Sequence, residues 1–290
     1  MFLVADREGH ITEENSFQDR LLEKLYGCAA GRILLRPLVS PAVSKIGGVI
    51  LDSPFSRILI RPFIRSQCIN MAEYEEKRYT SYNDFFTRRM LREARKVESA
   101  PEAFVSPCDG RLGVCGIREN GTFRVKHTRY TVGSLLRDRS LAESYIGGYI
   151  WLFRLCVDDY HRYIYVDGGS VSPGRRIPGV FHTVNPAAND KFPIYKENTR
   201  EYCILHSENF GQVLMMEVGA LLVGEIHNHP RGERVYRGWE KGKFAFGGST
   251  IILMTRKGTV RPDRDILKNS CQGIETKVKL GEKVGTGVGA

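Results

Sequence analysis

In the stretch Phe244-Ala245-Phe246-Gly247-Gly248-Ser249-Thr250-Ile251-Ile252-Leu253-Met254, two apolar, strand-like runs flank a Gly-Gly-Ser-Thr step. Short apolar runs bounded by glycine read as buried strands, and a Gly-Gly-Ser step between two of them most commonly makes a turn or bulge. A second reading is chemical. Glycine reaches backbone conformations closed to other residues and leaves its carbonyl open to approach. The Ser249 hydroxyl is tethered beside the Gly248 carbonyl, so its attack would be intramolecular and would gain a high effective concentration. An ester would replace the amide. Elimination across the serine Cα–Cβ bond would then release the upstream chain, and the dehydroalanine left behind would lose ammonia to become an N-terminal pyruvoyl group. Hydrolysis of the same ester would restore serine, so dry surroundings and a suitable base must select elimination.

Working outward, the chain after Pro101 consists of short β-like runs separated by glycine turns, among them 148–155, 212–218 and 249–254. Before it, residues from about 14 to 98 read as helical and basic. The expected fold class is therefore α+β: a helical, basic N-terminal region over 1–98, followed by a β-rich catalytic domain over 99–290. Within 31–65, Arg32, Arg36, Lys45, Arg57, Arg61 and Arg65 are interleaved with Ile, Leu, Val and Phe, against the single acid Asp52. Arg57, Arg61 and Arg65 recur every four residues and would share one helix face, though Pro62 limits its regularity. Such a segment suits an anionic membrane surface, with the arginines among headgroups. It equally suits an amphipathic helix pair packed on the core. The glycine-rich tail from Lys283 to Ala290 reads as loose.

The 290 residues are 42% hydrophobic, enough for one large domain or two unequal ones. No run of about 18 apolar residues occurs, which argues against a spanning helix. The start, Met1-Phe2-Leu3-Val4-Ala5-Asp6-Arg7-Glu8, lacks the features of a signal peptide. The seven cysteines stand singly, without a Cys-x-x-Cys pair, as reduced thiols do in a cytosolic chain. A net charge of +10 calls for an acidic partner. Nucleic acid is the poorer choice, since no recognition-helix, RNA-binding or zinc-finger pattern accompanies the charge.

Four further segments bear on the Gly-Gly-Ser step: Phe85-Phe86-Thr87-Arg88-Arg89-Met90, Ser106-Pro107-Cys108-Asp109-Gly110, Asp159-Tyr160-His161-Arg162-Tyr163, and Glu217-Val218-Gly219-Ala220 with Val223-Gly224-Glu225-Ile226. In this order, with Phe-Gly-Gly-Ser-Thr near the C-terminus, they resemble the phosphatidylserine decarboxylases over roughly residues 75–282. The resemblance implies a self-processing enzyme with a covalent pyruvoyl cofactor made from Ser249. It would convert phosphatidylserine to phosphatidylethanolamine and carbon dioxide through a Schiff base. Cleavage between Gly248 and Ser249 would give a β chain (1–248) and an α chain (249–290) that stay together. The implied setting is peripheral, on the cytosolic face of the cell membrane; a homodimer is a further partner to consider, and no metal is called for.

Residue by residue, Ser249 matches the family's self-cleaving serine. Asp109 matches the aspartate of Ser-Pro-x-Asp-Gly, which in the family helps a histidine activate that serine, as a carboxylate orients the imidazole of a protease triad. Many members carry Asp-Tyr-His-Arg-x-His, where the second histidine is usually taken as the cleavage base and the first as an aid to decarboxylation. Here the second place is Ile164. His161 keeps the first position and is a candidate for both steps and for the proton donor. His182, in Phe181-His182-Thr183-Val184, is the other candidate for the missing imidazole. A rival reading takes His206, His227 and His229 as a metal cluster, although no Cys or Glu completes a known zinc spacing. Two other functions are weighed: a soluble pyruvoyl-dependent amino-acid decarboxylase of the same lineage, and a non-cleaving relative that binds anionic lipids.

Overall fold

The computed structural model describes residues 2–14, 26, 40–125, 128–183, 189, 193–220, 225–230, 232–245 and 249–289. At its centre lies the strand Ser249–Thr255, every residue of which is buried. It pairs antiparallel with Gly211–Gly219 on one edge and with Tyr149–Leu155 on the other. Beyond these, an 11-stranded sheet runs one way through Arg200–Ser207 and Gly169–Val171 to Arg234–Val235, with Arg175–Ile177 also on Arg200–Ser207. The other way it runs through Gly110–Gly116, Glu275–Val278 and Phe2–Ala5 to Ile11–Glu14. Only Phe2–Ala5 and Glu275–Val278 pair in parallel among the sheet's described ladders. At Gly148 a Cβ would lie 1.9 Å from the Thr255 carbonyl oxygen, so only glycine lets the chain enter Tyr149–Leu155 at that spacing.

Side-chain alternation divides the central strands between two apolar layers. Ile252 and Met254, with Ile150, Leu152, Leu214, Met216 and Val218, pack with Tyr26, Leu135, Ile177 and Tyr195. Ile251 and Leu253, with Trp151, Phe153, Leu155, Val213 and Met215, pack on the opposite face with Tyr163, Tyr165 and Phe244. Tyr163 and Phe244 belong to a small sheet ordered Ile226–Asn228, Glu240–Phe244, Arg162–Ile164, which covers that second face. Both layers exclude water, which explains why the central strands are apolar at consecutive positions rather than alternately.

Among the described residues, helices Val132–Leu136, Arg139–Glu143, Ile194–Glu197 and Arg264–Cys271 follow residue 87, while Pro41–Asp52, Ile60–Ser66 and Tyr82–Phe86, with a 3₁₀ turn Pro54–Leu59, form a layer before it. Ser56 fastens this layer inward: its hydroxyl donates to the Leu51 carbonyl at 2.8 Å and accepts from the Tyr82 amide at 2.8 Å. Ile60 is buried with Tyr82, Phe85 and Phe86. The fold is α+β, as expected, but the helical region does not begin where the sequence suggested. Residues 2–14 form a hairpin in the main sheet, because Asp6 caps the turn by accepting from the Glu8 and His10 amides and Gly9 takes φ +94°. The basic positions Arg32 and Arg36 lie outside the described residues. The tail also differs: Lys283–Gly287 is a strand between Val260–Pro262 and Ala103–Val105. Gly285 allows this, since a Cβ there would lie 2.8 Å from the Arg261 carbonyl and 2.9 Å from the Trp151 ring.

Candidate active site

Ser249 opens its strand, opposite Gly219 on one side and Leu155 on the other. It shares a face with Ile251, Leu253 and Leu155, so its hydroxyl enters the layer beneath the small sheet. The residue is fully buried, and among the described residues Oγ has no hydrogen-bond partner. Gly248 lies outside the described residues.

His161 is tied through its backbone to Phe244, a member of the same layer. Its carbonyl accepts from the Phe244 amide at 2.9 Å, and its fully buried ring lies 4.1 Å, centroid to centroid, from Phe86. Nδ1 is 2.9 Å from the Asp159 carbonyl oxygen, which can only accept, so Nδ1 carries the hydrogen and Nε2 the lone pair. Nε2 is buried without a partner among the described residues. Burial lowers the imidazole to about 3, against the Asp159 hydrogen bond, so the ring is neutral at neutral pH. The turn that delivers it begins at Leu155, the ladder partner of Ser249. Asp159 accepts from the Cys156 amide at 2.7 Å and from Arg111 at 2.5 Å, and its carboxyl is pushed up to about 6 by burial, against the pull of Arg111.

Asp109 is held differently from a triad aspartate. It accepts from Arg95 at 3.0 and 3.3 Å and from the Leu280 amide at 2.7 Å, and Arg95 also binds Glu73 at 2.7 Å. Neither ring nitrogen of His161 bonds to it. Ile164, at the second histidine place, donates its amide to the Pro107 carbonyl at 2.9 Å and packs with Tyr74, Tyr160 and Leu280. An apolar cluster thus stands where an imidazole would meet Asp109.

His182 is on the other side of the main sheet. Its Nδ1 is 3.5 Å from the hydroxyl of Tyr26, a member of the opposite layer, and its Nε2 is 3.4 Å from Glu197. It lines an open pocket of about 500 Å³ with Arg137, Lys196 and Glu197. Burial lowers its pKa, partly offset by Glu197. The three remaining candidates are dispersed: His227 faces Glu225 at 3.5 Å, His229 binds Glu240 at 2.6 Å, and His206 opposes Gln212 in its ladder.

One buried polar group was not singled out by sequence. Glu217 opposes Ile251 and is therefore a diagonal neighbour of Ser249 on the same face. Lys241 donates to its Oε2 at 2.6 Å, and Asn228 bridges Lys241, Glu217 and Glu201. Both charged residues are almost entirely inaccessible. Burial raises Glu217; it would lower Lys241, but the Glu217 carboxylate outweighs it and holds the ammonium above its ordinary value. Glu217 sits in a quoted motif, but nothing in Glu240-Lys241-Gly242-Lys243 marks which lysine turns inward.

The family model for phosphatidylserine decarboxylase matches residues 82–286, which takes in all five motifs and Ser249. The chain belongs to the phosphatidylserine decarboxylase family. It is 43% identical over 274 residues, 94% of each chain, to the phosphatidylserine decarboxylase proenzyme 2 of Clostridium acetobutylicum. The phosphatidylserine decarboxylase proenzyme of Ruminiclostridium cellulolyticum is 40% identical, covering 92% of this chain and 91% of its own. That of Clostridium novyi is 39% identical over 99% of both. Members of the phosphatidylserine decarboxylase family are pyruvoyl-dependent carboxy-lyases, and the name proenzyme denotes a precursor.

Proposed function

We propose that this chain cuts itself between Gly248 and Ser249 and then decarboxylates phosphatidylserine to phosphatidylethanolamine. The observation that carries the reading is a buried Ser249 hydroxyl and a buried His161 Nε2, each without a partner among the described residues, in a family of proenzymes. His161, neutral and aimed by the Asp159 carbonyl, takes the hydroxyl proton as Oγ attacks the Gly248 carbonyl. The C–N bond breaks to give the ester. Removal of the serine α-proton then expels the Gly248 carboxylate and forms the Cα=Cβ bond, and water converts the resulting enamine to the ketone with loss of ammonia. Phe86, Phe244 and Leu155 keep bulk water from hydrolysing the ester. The pyruvoyl group supplies the electron sink for loss of carbon dioxide. During turnover His161 holds the proton delivered to the substrate carbon. His182 shares the pocket with Glu197 across the sheet and takes no part.

Cleavage need not part the two chains. Ser249–Thr255 is bonded on both edges to strands of the larger piece, Glu275–Val278 lies between two more of its strands, and Lys283–Gly287 pairs on one edge with its Ala103–Val105. Arg7 adds bonds to Asp263 at 2.9 Å and Asp265 at 2.7 Å, and Arg154 binds Glu275 at 2.6 Å.

The mature protein is expected to yield, under denaturing conditions, a small fragment of residues 249–290 whose mass and hydrazine reactivity match a pyruvoyl terminus. A single uncut chain would reduce the protein to a lipid-binding relative. His161→Ala is expected to slow cleavage by about a hundredfold or more, with His182→Ala near the wild-type rate. Normal cleavage by His161→Ala beside a stalled His182→Ala would reverse the assignment.

The outer surface of the helical layer fits a bilayer. Phe55 is 90% exposed and Ile58 79%, with Ile46, Val49 and Ile50 also exposed, while Arg57, Arg61 and Arg65 lie exposed around them. Apolar side chains ringed by arginine suit the boundary between acyl chains and anionic headgroups. No described helix is long and apolar enough to cross a membrane. Phe55→Asp with Ile58→Asp is expected to weaken binding to vesicles of phosphatidylserine and phosphatidylcholine by about tenfold or more, with self-cleavage intact. Unchanged sedimentation with vesicles would exclude this face.

A further inference from the structure

The chemistry above uses Phe86 of the Phe-Phe-Thr-Arg segment and leaves its arginine without a role. That residue, Arg88, is 2% exposed. The guanidinium carbon lies 4.3 Å from the ring centroid of Tyr74 and 4.9 Å from that of Phe85, and Nη2 donates to the Tyr74 hydroxyl at 3.2 Å. Among the described residues, Nε and Nη1 are buried with no partner, and no carboxylate pairs with them. The Tyr79 hydroxyl nearby is likewise buried and unpartnered. Aromatic faces stabilise the charge from above and below the guanidinium plane, but they leave its in-plane N–H donors unsatisfied. A cation kept this way in a dry site is suited to an anion that arrives later.

The position of Arg88 is fixed relative to the reaction. Phe86 stacks on His161, and Arg162, the next residue after His161, donates to the Thr87 carbonyl at 2.7 and 2.9 Å and to the Arg88 carbonyl at 3.2 Å. On its other side, Phe85 and Tyr82 pack against Ile60, Phe63 and Ile64 of the helical layer. Arg88 therefore lies between the histidine and the exposed apolar surface. A phospholipid has the same order: reacting amine, phosphate, acyl chains.

Resting on the decarboxylase reading, we infer that Arg88 is the receptor for the headgroup phosphodiester, holding the lipid so that its serine end meets His161 and the Ser249-derived group. The carboxylate is the poorer ligand on energetic grounds. It loses its charge as carbon dioxide forms, so a cation bound to it would stabilise the ground state over the transition state. The phosphodiester keeps its charge throughout.

The test compares mature wild-type enzyme with Arg88→Gln and Arg88→Lys on phosphatidylserine in mixed micelles. Inhibition is measured with glycerophosphoethanolamine, which carries the phosphate and no carboxylate, and with ethanolamine, which carries neither. Arg88→Gln is expected to mature, to raise KM about tenfold or more with any fall in kcat smaller than that, and to weaken glycerophosphoethanolamine by a similar factor. Ethanolamine should inhibit both enzymes alike, and Arg88→Lys should recover part of the loss. Glycerophosphoethanolamine inhibiting Arg88→Gln as well as it does the wild type would overturn the assignment, and a raised KM with that result would mean a carboxylate contact. Failure of both variants to mature would also overturn it, in favour of a purely structural arginine. Wild-type enzyme that is inactive on phosphatidylserine would remove the decarboxylase reading itself, a result distinct from any of these.

Discussion

Replacing Ser249 by alanine is expected to leave the chain as a single polypeptide of 290 residues and to reduce carbon dioxide release from phosphatidylserine to background. The substitution removes the attacking oxygen and the precursor of the cofactor together, so no partial activity should survive. Its structural cost should be small. Oγ makes no hydrogen bond among the described residues, and a methyl group suits a site beside Leu155, Ile251 and Leu253. Unfolding of the variant should therefore resemble that of the proenzyme, which separates lost chemistry from lost folding. Denaturing electrophoresis, intact mass and release of labelled carbon dioxide check the three parts. A cut chain, or residual decarboxylation, would place the nucleophile elsewhere.

The largest stability effect is expected at Lys241. Lys241→Met would leave the Glu217 carboxylate in a fully buried layer with Asn228 as its remaining donor. Removing one member of a buried ion pair typically costs about 3–5 kcal/mol, because the surviving charge is uncompensated. For a chain of this size that corresponds to a fall in Tm on the order of 10 °C. The measurement belongs in the uncut Ser249→Ala background, where unfolding involves one chain rather than two. Adding Glu217→Gln should restore much of the loss, since the amide removes the stranded charge. A Lys241→Met chain within about 1 kcal/mol of its parent would show that the pair contributes little. Because Glu217 is diagonal to Ser249, self-cleavage of the same substitution in the cleavable chain reports whether the pair also shapes the reacting layer.

The central strands could be read from sequence because both of their faces are covered, which makes them apolar at consecutive positions between glycines. Ser249 and His161 were also legible, each inside a motif. Which histidine lies on the Ser249 side of the main sheet was not. That depends on strand parity: Ser249 shares a face with Ile251 and not with Thr250, and parity becomes a direction only once the ladders to Leu155 and Gly219 are known. Lys241 was hidden by an irregularity instead: it and Lys243 would share a face on a regular strand, but the ladder to Arg162–Ile164 shifts register between Glu240 and Gly242, and Lys241 is buried while Lys243 is partly exposed. Arg95 as the partner of Asp109 joins residues in different elements with no local signal. The hairpin at residues 2–14 was missed because its short strands show little periodicity and the charged turn at Asp6-Arg7-Glu8 resembles the basic region that follows.

The place of Glu275–Val278 in the main sheet has a consequence for the order of events in a newly made chain. This strand joins Gly110–Gly116 to Phe2–Ala5, and among the described residues no other ladder connects the N-terminal hairpin to the sheet. Its residues are made after the Gly248-Ser249 bond, while the hairpin they hold is made well before it. A nascent chain that has just exposed the Gly248-Ser249 bond thus lacks the strand that completes the sheet. The sheet around Ser249 is therefore completed only once the chain has been made through Val278, which sets the earliest moment at which the proenzyme can reach its finished architecture.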